Sequence, residues 1–513
     1  MSYTVDQKIG KYIYVYEVES YWDPQKKQPR QKRRYLGKRD AQSGEILTPY
    51  KGITPRAARD YGQIYLLEKL AERIGLLSVL RKVFPEEAEV LAQLAFFQVC
   101  EARPLYLFKA WVESTYFAKP ADIGSQKMSR FLRHIGQMDR QRDRFFELWV
   151  QQQGDIRAIV FDITSLSSYS KFLEPLEWGY NRDGEKLPQI NFGLILGQPS
   201  NLPLTYSIYP GSIADVSTLK NILEKLKVYG VSHFTFVLDR GFYSSTNIKE
   251  MQGITLVIPM PFTTRVALEL LAKHTQALSS PLSGFYFMNR ALFHIRREIK
   301  LGGVDLYAHL YLDEKRRAQE IEHFIGKLVE IERQAEEKKL GKKQDVEHYT
   351  EELSEGCGKL FQITVQQGRI QLKRKAKVIS SLLNRMGKMI LLTNDGQLKR
   401  DELLLWYHRK DSLEKLFDIM KNELEEGRLW TGSKEAMQGR LFVNFLSIVL
   451  YAALSQQMKE AQLYQSFSVS EVLYELKKLK LVELSNGKSL LTEISKRQRI
   501  LYQKLNVPIP AAT

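Results

Sequence analysis

Three carboxylates raise the chemical question: Asp162, Asp239 and Glu414. Each aspartate follows a short apolar run, Ala158-Ile159-Val160-Phe161 in one case and Phe234-Thr235-Phe236-Val237-Leu238 in the other. Such runs read as buried strands, and open α/β sheets place their sites at the C-terminal ends of strands. Glu414 lies inside Leu403 to Leu424, where Leu405, Leu413, Leu416, Phe417, Met420 and Leu424 recur at helical spacing without Pro or Gly. Acids without His or Cys partners suit a hard, oxygen-seeking ion such as Mg²⁺. Two such ions about 3.5–4 Å apart can clamp the attacking and leaving oxygens of an in-line phosphoryl transfer. Singly, each acid has a duller reading, the aspartates as loop caps and Glu414 as a surface ion pair with Lys410. Their positions taken together favour the joint reading.

The elements that position these acids follow from the text around them. Tyr407, Glu414 and Lys421 are seven apart in the helix, so each lies about 20° from the last, and Lys410 sits between the first two. Before it, the order from Arg157 to Ile258 is three strands, helix, strand, helix, strand: a mixed α/β sheet. Asp183 and Asp215 are alternative metal ligands, although Asp183 suits a turn with Gly184 and Asp215 a helix cap.

The totals agree with a polyanionic partner. Lys plus Arg number 76 against 59 Asp plus Glu, a net charge of +17 over 513 residues, most simply matched by nucleic acid. Two cysteines, Cys100 and Cys357, make neither a disulfide framework nor a zinc cluster, which fits a reducing, cytoplasmic setting. No apolar signal core opens the chain, and the apolar run Leu441 to Leu454 contains Asn444 and reads as a buried helix, so no membrane is expected.

Six segments are expected. Residues 1–60 form a basic DNA-contacting segment that Pro55 closes, in which Tyr21, Trp22 and Tyr35 interleave with Lys26, Lys27, Arg30, Lys32, Arg33, Arg34, Lys38 and Arg39. Residues 61–150 read as a helical DNA-binding domain, and 151–261 as the first part of the catalytic core. Residues 262–387 are an insertion of paired strands and a charged helical hairpin bending at Gly341, in which His323 and His348 are surface residues. Residues 388–455 complete the core with the Glu414 helix, and 456–513 are a basic helical region, a candidate dimerisation element.

Four motifs in order carry a family resemblance. They are Phe161-Asp162-Ile163-Thr164-Ser165, Gly179-Tyr180-Asn181-Arg182-Asp183 with Gln189, Leu238-Asp239-Arg240-Gly241-Phe242-Tyr243, and Tyr407, Lys410, Glu414 and Lys421 in the pattern Y-x-x-R-x-x-x-E-x6-K with Lys at the Arg position. Over roughly residues 150–455 the chain resembles the DDE transposases of bacterial insertion sequences, in the group that cuts through a DNA hairpin. The resemblance implies an RNase H-like core with an insertion between its last strand and the Glu helix; Asp239 and Glu414 are indeed 175 residues apart, against 77 between the aspartates. It implies Asp162, Asp239 and Glu414 as catalytic residues holding two Mg²⁺ ions, with Mn²⁺ able to substitute. It implies Arg240, Tyr407, Lys410 and Lys421 on DNA phosphates, and a flipped base held by an aromatic among Phe285, Tyr286, Phe287 and Phe293. The implied partners are the double-stranded transposon ends and target, bound by a homodimer in a synaptic complex associated with the bacterial nucleoid. The other readings are a degenerate end-binding protein, a structure-selective nuclease of the same fold, and an RNA-binding protein.

Overall fold

The computed structural model describes residues 2–10, 12–40, 44–47, 53–168, 176–178, 187–211, 218–231, 233–251, 253–337, 348–349, 351–353, 356–366, 369–423, 428–429 and 432–511. Gly179 to Asp183, Asp215 and Gly341 therefore lie outside the described residues. The chain divides into two units, one of residues 1–60 and 479–494, the other of 61–478 and 495–510.

The first unit begins as an antiparallel sheet of β1 (Ser2–Ile9), β2 (Tyr12–Asp23), β3 (Gln28–Arg39) and β4 (Ile46–Leu47), in that order. Val15 and Val18 of β2 are buried, while β3 presents its cations outward. Asp23 Oδ1 accepts the Gln25 and Lys26 amides at 3.0 and 3.1 Å, fixing the turn between β2 and β3. Pro55 opens a strand, β5 (Pro55–Asp60), rather than closing the unit. A proline is tolerated there because the first residue of an edge strand needs no amide in the ladder.

The second unit starts with helices α1 (Gly62–Arg73), α2 (Leu76–Val83), α3 (Ala88–Glu101), α4 (Phe108–Ser114), α5 (Ser125–Gln137) and α6 (Asp139–Gln152). There follow β6 (Ala158–Ser168), β7 (Gln189–Gln198), β8 (Leu202–Pro210), α7 (Thr218–Val228), β9 (Thr235–Leu238), α8 (Ser245–Glu250) and β10 (Thr255–Pro259). This is the expected strand and helix order. Next come α9 (Arg265–Leu278), β11 (Gly284–Phe287), β12 (Arg290–Leu301), β13 (Val304–Asp313), α10 (Glu314–Glu337), β14 (Phe361–Gln366), β15 (Arg369–Arg374), α11 (Ala376–Leu383) and β16 (Lys388–Thr393).

Among the described residues the main sheet runs β11-β12-β13-β16-β10-β9-β6-β7-β8. Its β6–β9 and β9–β10 pairs are parallel and the others along this path antiparallel. The strands expected as a separate insertion therefore extend the core sheet. The link is β16, which pairs with β13 on one side and β10 on the other. The remainder of the insertion has its own small core, in which Leu328 of α10 meets Cys357, Phe361 and Ile379.

The Glu414 region comprises α12 (Arg400–His408), α13 (Lys410–Asp418) and a π-helical turn, Ile419–Glu423. The two-residue β17 (Arg428–Leu429) lies parallel to β6, and α14 (Lys434–Glu460) follows. The latter is long and apolar enough to cross a membrane, yet most of its apolar stretch is buried inside the protein. It packs on α3, α5 and β8. Gly136 and Gly439 permit the crossing with α5, since a Cβ at either would collide with a backbone carbonyl, that of Glu435 or Leu132. Phe145 and Phe146 of α6 meet Phe442 and Phe445 of α14, and Trp149 Nε1 donates to Pro203 O at 2.8 Å. The helical segment thus shares the core of the sheet.

The C-terminal stretch, expected as helical, holds the end of α14, α15 (Val469–Lys477) and α16 (Lys496–Lys504), but not helix alone. Between α15 and α16, β18 (Lys480–Leu484) and β19 (Ser489–Leu491) form a hairpin, and β18 pairs with β5. Asn486-Gly487 makes the turn, with Gly487 at φ 82°, a conformation that favours glycine.

Candidate active site

The site begins with one register. Parallel strands β6 and β9 pair Phe161 with Leu238, so the next residues along each, Asp162 and Asp239, are neighbours. Asp162 does not end its strand as the apolar run suggests; β6 continues to Ser168, opposite Gln189 to Leu194 of β7. The continuation is possible because its buried polar groups find partners, as where Ser165 Oγ donates to Asn191 Oδ1 at 3.2 Å. Asp162 is only 2% exposed, and its Oδ1 accepts the Ile163 amide at 2.8 Å. Asp239 leaves β9 and precedes a 3₁₀ turn, Arg240–Phe242. Phe242 is fully buried and packs on Phe161 at 5.4 Å between ring centroids, fixing the turn behind both acids.

Glu414 arrives on α13, which packs against β6 through a face that buries Leu413, Leu416 and Phe417. The single expected helix is broken at two points. At Arg409 the amide is shared between Leu405 O and Trp406 O at 3.1 and 3.2 Å, and the guanidinium is drawn off to Gln198 Oε1 and Pro199 O. At Ile419–Glu423 the π-helical turn changes the number of residues per turn. Lys421 lies within this turn, outside the regular α-helical spacing expected from the sequence.

Lys410 joins the acids. Its Nζ donates to Asp239 Oδ1 at 2.6 Å and to Glu414 Oε1 at 2.9 Å. Its side chain is 10% exposed, against 23% for Asp239 and 56% for Glu414, so the site grades from a sealed floor to a wet mouth. Burial alone would lower the Lys410 pKa; the Asp239 and Glu414 contacts and the Asp162 charge outweigh it and raise the pKa, keeping the ammonium. Tyr407 is half-buried, and burial raises its phenol pKa, with Asp239 adding to the rise and Lys410 and Arg240 opposing it. The phenol stays protonated and able to donate.

A family model for the transposase DDE domain matches residues 153–450. The chain belongs to the DDE transposases. Its α/β architecture, a large mixed sheet flanked by helices, is that of an RNase H-like transposase core. Among solved structures it is similar to a piggyBac transposase synaptic complex with hairpin DNA, determined by cryo-EM. That likeness has 12% identity over 81% of this chain and 70% of the other, with a TM-score of 0.33. No curated protein matches the chain.

DDE transposases generally use divalent metal ions. Among the described residues of this transposase, no group of three or more His, Cys, Asp or Glu side chains stands close enough to hold a metal ion. By the chemistry of their oxygens, Asp162, Asp239 and Glu414 would nevertheless suit one. Two of them already share a cation, the Lys410 ammonium.

Arg240 is exposed beside Asp239, and Lys421 is partly exposed in the π-helical turn. In the other unit Lys26, Lys27, Lys32, Arg33 and Lys38 are exposed, Arg39 pairs with Asp6 at 2.9 Å, and Arg30 and Arg34 lie 3.5 and 3.8 Å from Asp23 and Glu17. His323 and His348 are exposed as expected. Of the four aromatics, Phe285 is covered by the Arg400 guanidinium at 4.4 Å, Tyr286 is exposed, and Phe293 is partly buried in β12. Phe287 stacks on His408 and lines a cavity of about 330 Å³ with Trp406, Arg157 and Arg409. Nothing near Lys410 in the sequence points to Asp239, 171 residues away, nor does anything mark Trp406 and Arg409 as cavity walls.

Proposed function

We propose that this transposase binds the terminal inverted repeats of its element, nicks beside them, and joins the freed ends to target DNA, with Asp162, Asp239 and Glu414 as its catalytic residues. The observation that carries the reading is that the Lys410 ammonium binds Asp239 and Glu414 together, while Asp162 and Asp239 each directly follow the paired residues Phe161 and Leu238.

In the first step a water oxygen bonds to phosphorus and the bond from phosphorus to the 3′ oxygen breaks, leaving a 3′-hydroxyl and a 5′-phosphate. In the second the 3′-hydroxyl oxygen bonds to a phosphorus of the opposite strand, another 3′ oxygen leaves, and a hairpin results, which is opened before transfer to the target. Asp162, Asp239 and Glu414 would hold two Mg²⁺ ions, which when bound activate the attacking oxygen and stabilise the leaving one. Asp162 and Asp239 are pre-positioned by the sheet, while Glu414, on a long and half-exposed side chain, completes the set. Arg240, Tyr407, Lys410 and Lys421 would fix the scissile phosphates, the lysines as point charges. Phe287, over the cavity with Trp406, is the best placed of the four aromatics to hold an unstacked base. The exposed cations of β3 would track duplex phosphates away from the cut. Two ends must meet, so a homodimer on DNA is proposed, in a reducing cytoplasm, a setting that two cysteines outside any disulfide suit.

The test is Asp162→Asn on end-containing duplex. Binding should persist while Mg²⁺-dependent nicking disappears; full cleavage by the variant would remove the assignment. Strand-transfer products separate this reading from a structure-selective nuclease, which would release nicked DNA only.

A further inference from the structure

Without DNA, the Lys410 ammonium is already engaged by carboxylates. One ammonium serves Asp239 Oδ1 at 2.6 Å and Glu414 Oε1 at 2.9 Å. Its side chain is almost sealed from solvent by its surroundings. Carboxylates gathered this closely repel one another unless a cation lies between them, and here that cation is part of the chain. It also uses the same oxygens that a divalent ion would need. An ion entering there would meet a like charge on its own ligands, so ammonium and metal cannot both be well bound. The helix gains little from the arrangement, because Lys four residues before Glu is the weaker orientation of such a pair.

We infer that Lys410 is a displaceable counter-ion of the site: it holds Asp239 and Glu414 in the DNA-free protein, disfavours a divalent cation there, and releases both acids when a DNA phosphate draws its ammonium away. The inference rests on the metal-dependent reading above. The exchange replaces carboxylate partners by a phosphate partner for the same ammonium, and the flexible lysine stem can make it without moving α13. Metal and DNA then bind cooperatively, and the coupling is reciprocal: each raises the affinity for the other. The device would keep the free protein from loading the ions that cut DNA.

The experiment is a Mn²⁺ titration of full-length, DNA-free protein followed by electron paramagnetic resonance. Lys410→Met should bind Mn²⁺ at least about tenfold more tightly than the wild type, because a like charge has left the ligand set, whereas Lys410→Arg should not. Without metal, Lys410→Met should melt at lower temperature than the wild type, and Mn²⁺ should restore it. Should Lys410→Met not fold, the wild type alone decides: a short mixed-sequence duplex should raise its Mn²⁺ affinity, and no rise would overturn the inference. Equal affinity in wild type and Lys410→Met, abolished in both by Asp162→Asn, would overturn the role of Lys410 and leave the metal reading standing. Absence of bound Mn²⁺ in every protein, with or without duplex, would overturn the metal reading itself.

Discussion

Asp162 and Asp239 are next neighbours across two parallel strands, because the register pairs Phe161 with Leu238 immediately before them. Asp162 sits within β6 and Asp239 is the first residue past β9, so the register of the two strands brings them together. Replacing either by Asn keeps side-chain size and removes a charge. Nicking should fall at least about 10²–10³-fold, the scale of several kcal/mol of transition-state charge stabilisation. DNA-end binding, read by mobility shift, should change little. A variant that still nicks at the wild-type rate would detach the acid from the chemistry.

Much of this site is legible in the sequence, and the gaps have physical causes. Each aspartate announces itself at the end of an apolar run, and Glu414 by helical periodicity. The length of β6 is hidden because Thr164, Ser165, Ser167 and Ser168 read as a polar loop; only the strand alongside shows that they are buried and paired. The breaks beside Lys410 come from tertiary pulls, notably Gln198 and Pro199 on Arg409, which no local pattern records. Alternation marks β12 and β13 as strands but cannot tell which sheet they join. The β18–β19 hairpin carries a local signal, Asn486-Gly487, that the surrounding basic helical text obscures.

The crossing of α5 and α14 depends on two glycines. A Cβ at Gly136 would fall 1.7 Å from Glu435 O, and one at Gly439 1.9 Å from Leu132 O. Both obstacles are backbone, which cannot swing aside as a side chain would. Gly136→Ala and Gly439→Ala should each destabilise by about 1–3 kcal/mol, the usual range for overpacking. Urea denaturation of each variant measures it. A change within error would mean that the helices separate at no cost.

The sheet also stores acid sensitivity. His294 Nε2 and His309 Nδ1 lie 3.0 Å apart in adjacent strands, and burial, with nearby positive charge, depresses their pKa values to about 3 and about 4. Both values lie below the ordinary one, so between them and about 6.5 the unfolded chain binds more protons than the folded one. The stability they contribute is complete above about pH 6.5 and is lost as pH falls toward 4. His309→Gln removes one titrating group, so its stability should drop less between pH 7 and 5, by about 1–2 kcal/mol. Parallel denaturant curves at the two pH values read the difference directly.

The basic face of β3 should act by counterion release. Removing one cation that neutralises a phosphate lowers the slope of log affinity against log salt by about one. Lys32→Ala on β3 and Lys26→Ala in the turn that leads into it, both at exposed positions, should flatten that slope. Arg39→Ala should not, because Arg39 already gives two hydrogen bonds to Asp6. Fluorescence anisotropy across a salt series separates the two classes, and a slope that none of the variants alters would remove this face from the DNA path.

Phe287 should separate the first nick from hairpin formation. It stacks on His408 with ring centroids 6.0 Å apart and walls the cavity shared with Trp406, Arg157 and Arg409. In the proposed hairpin step a base turned out of the duplex would need an aromatic surface, worth about 1–3 kcal/mol per stacked base. The first nick needs no such base. Phe287→Ala should therefore leave nicking within a few-fold of wild type and reduce hairpin product about 5- to 150-fold, the same range expressed as a rate. Denaturing gels resolve nicked strand from hairpin in one reaction. Equal loss of both products would assign Phe287 to folding or DNA docking, and loss of neither would leave the cavity without a part in the second step.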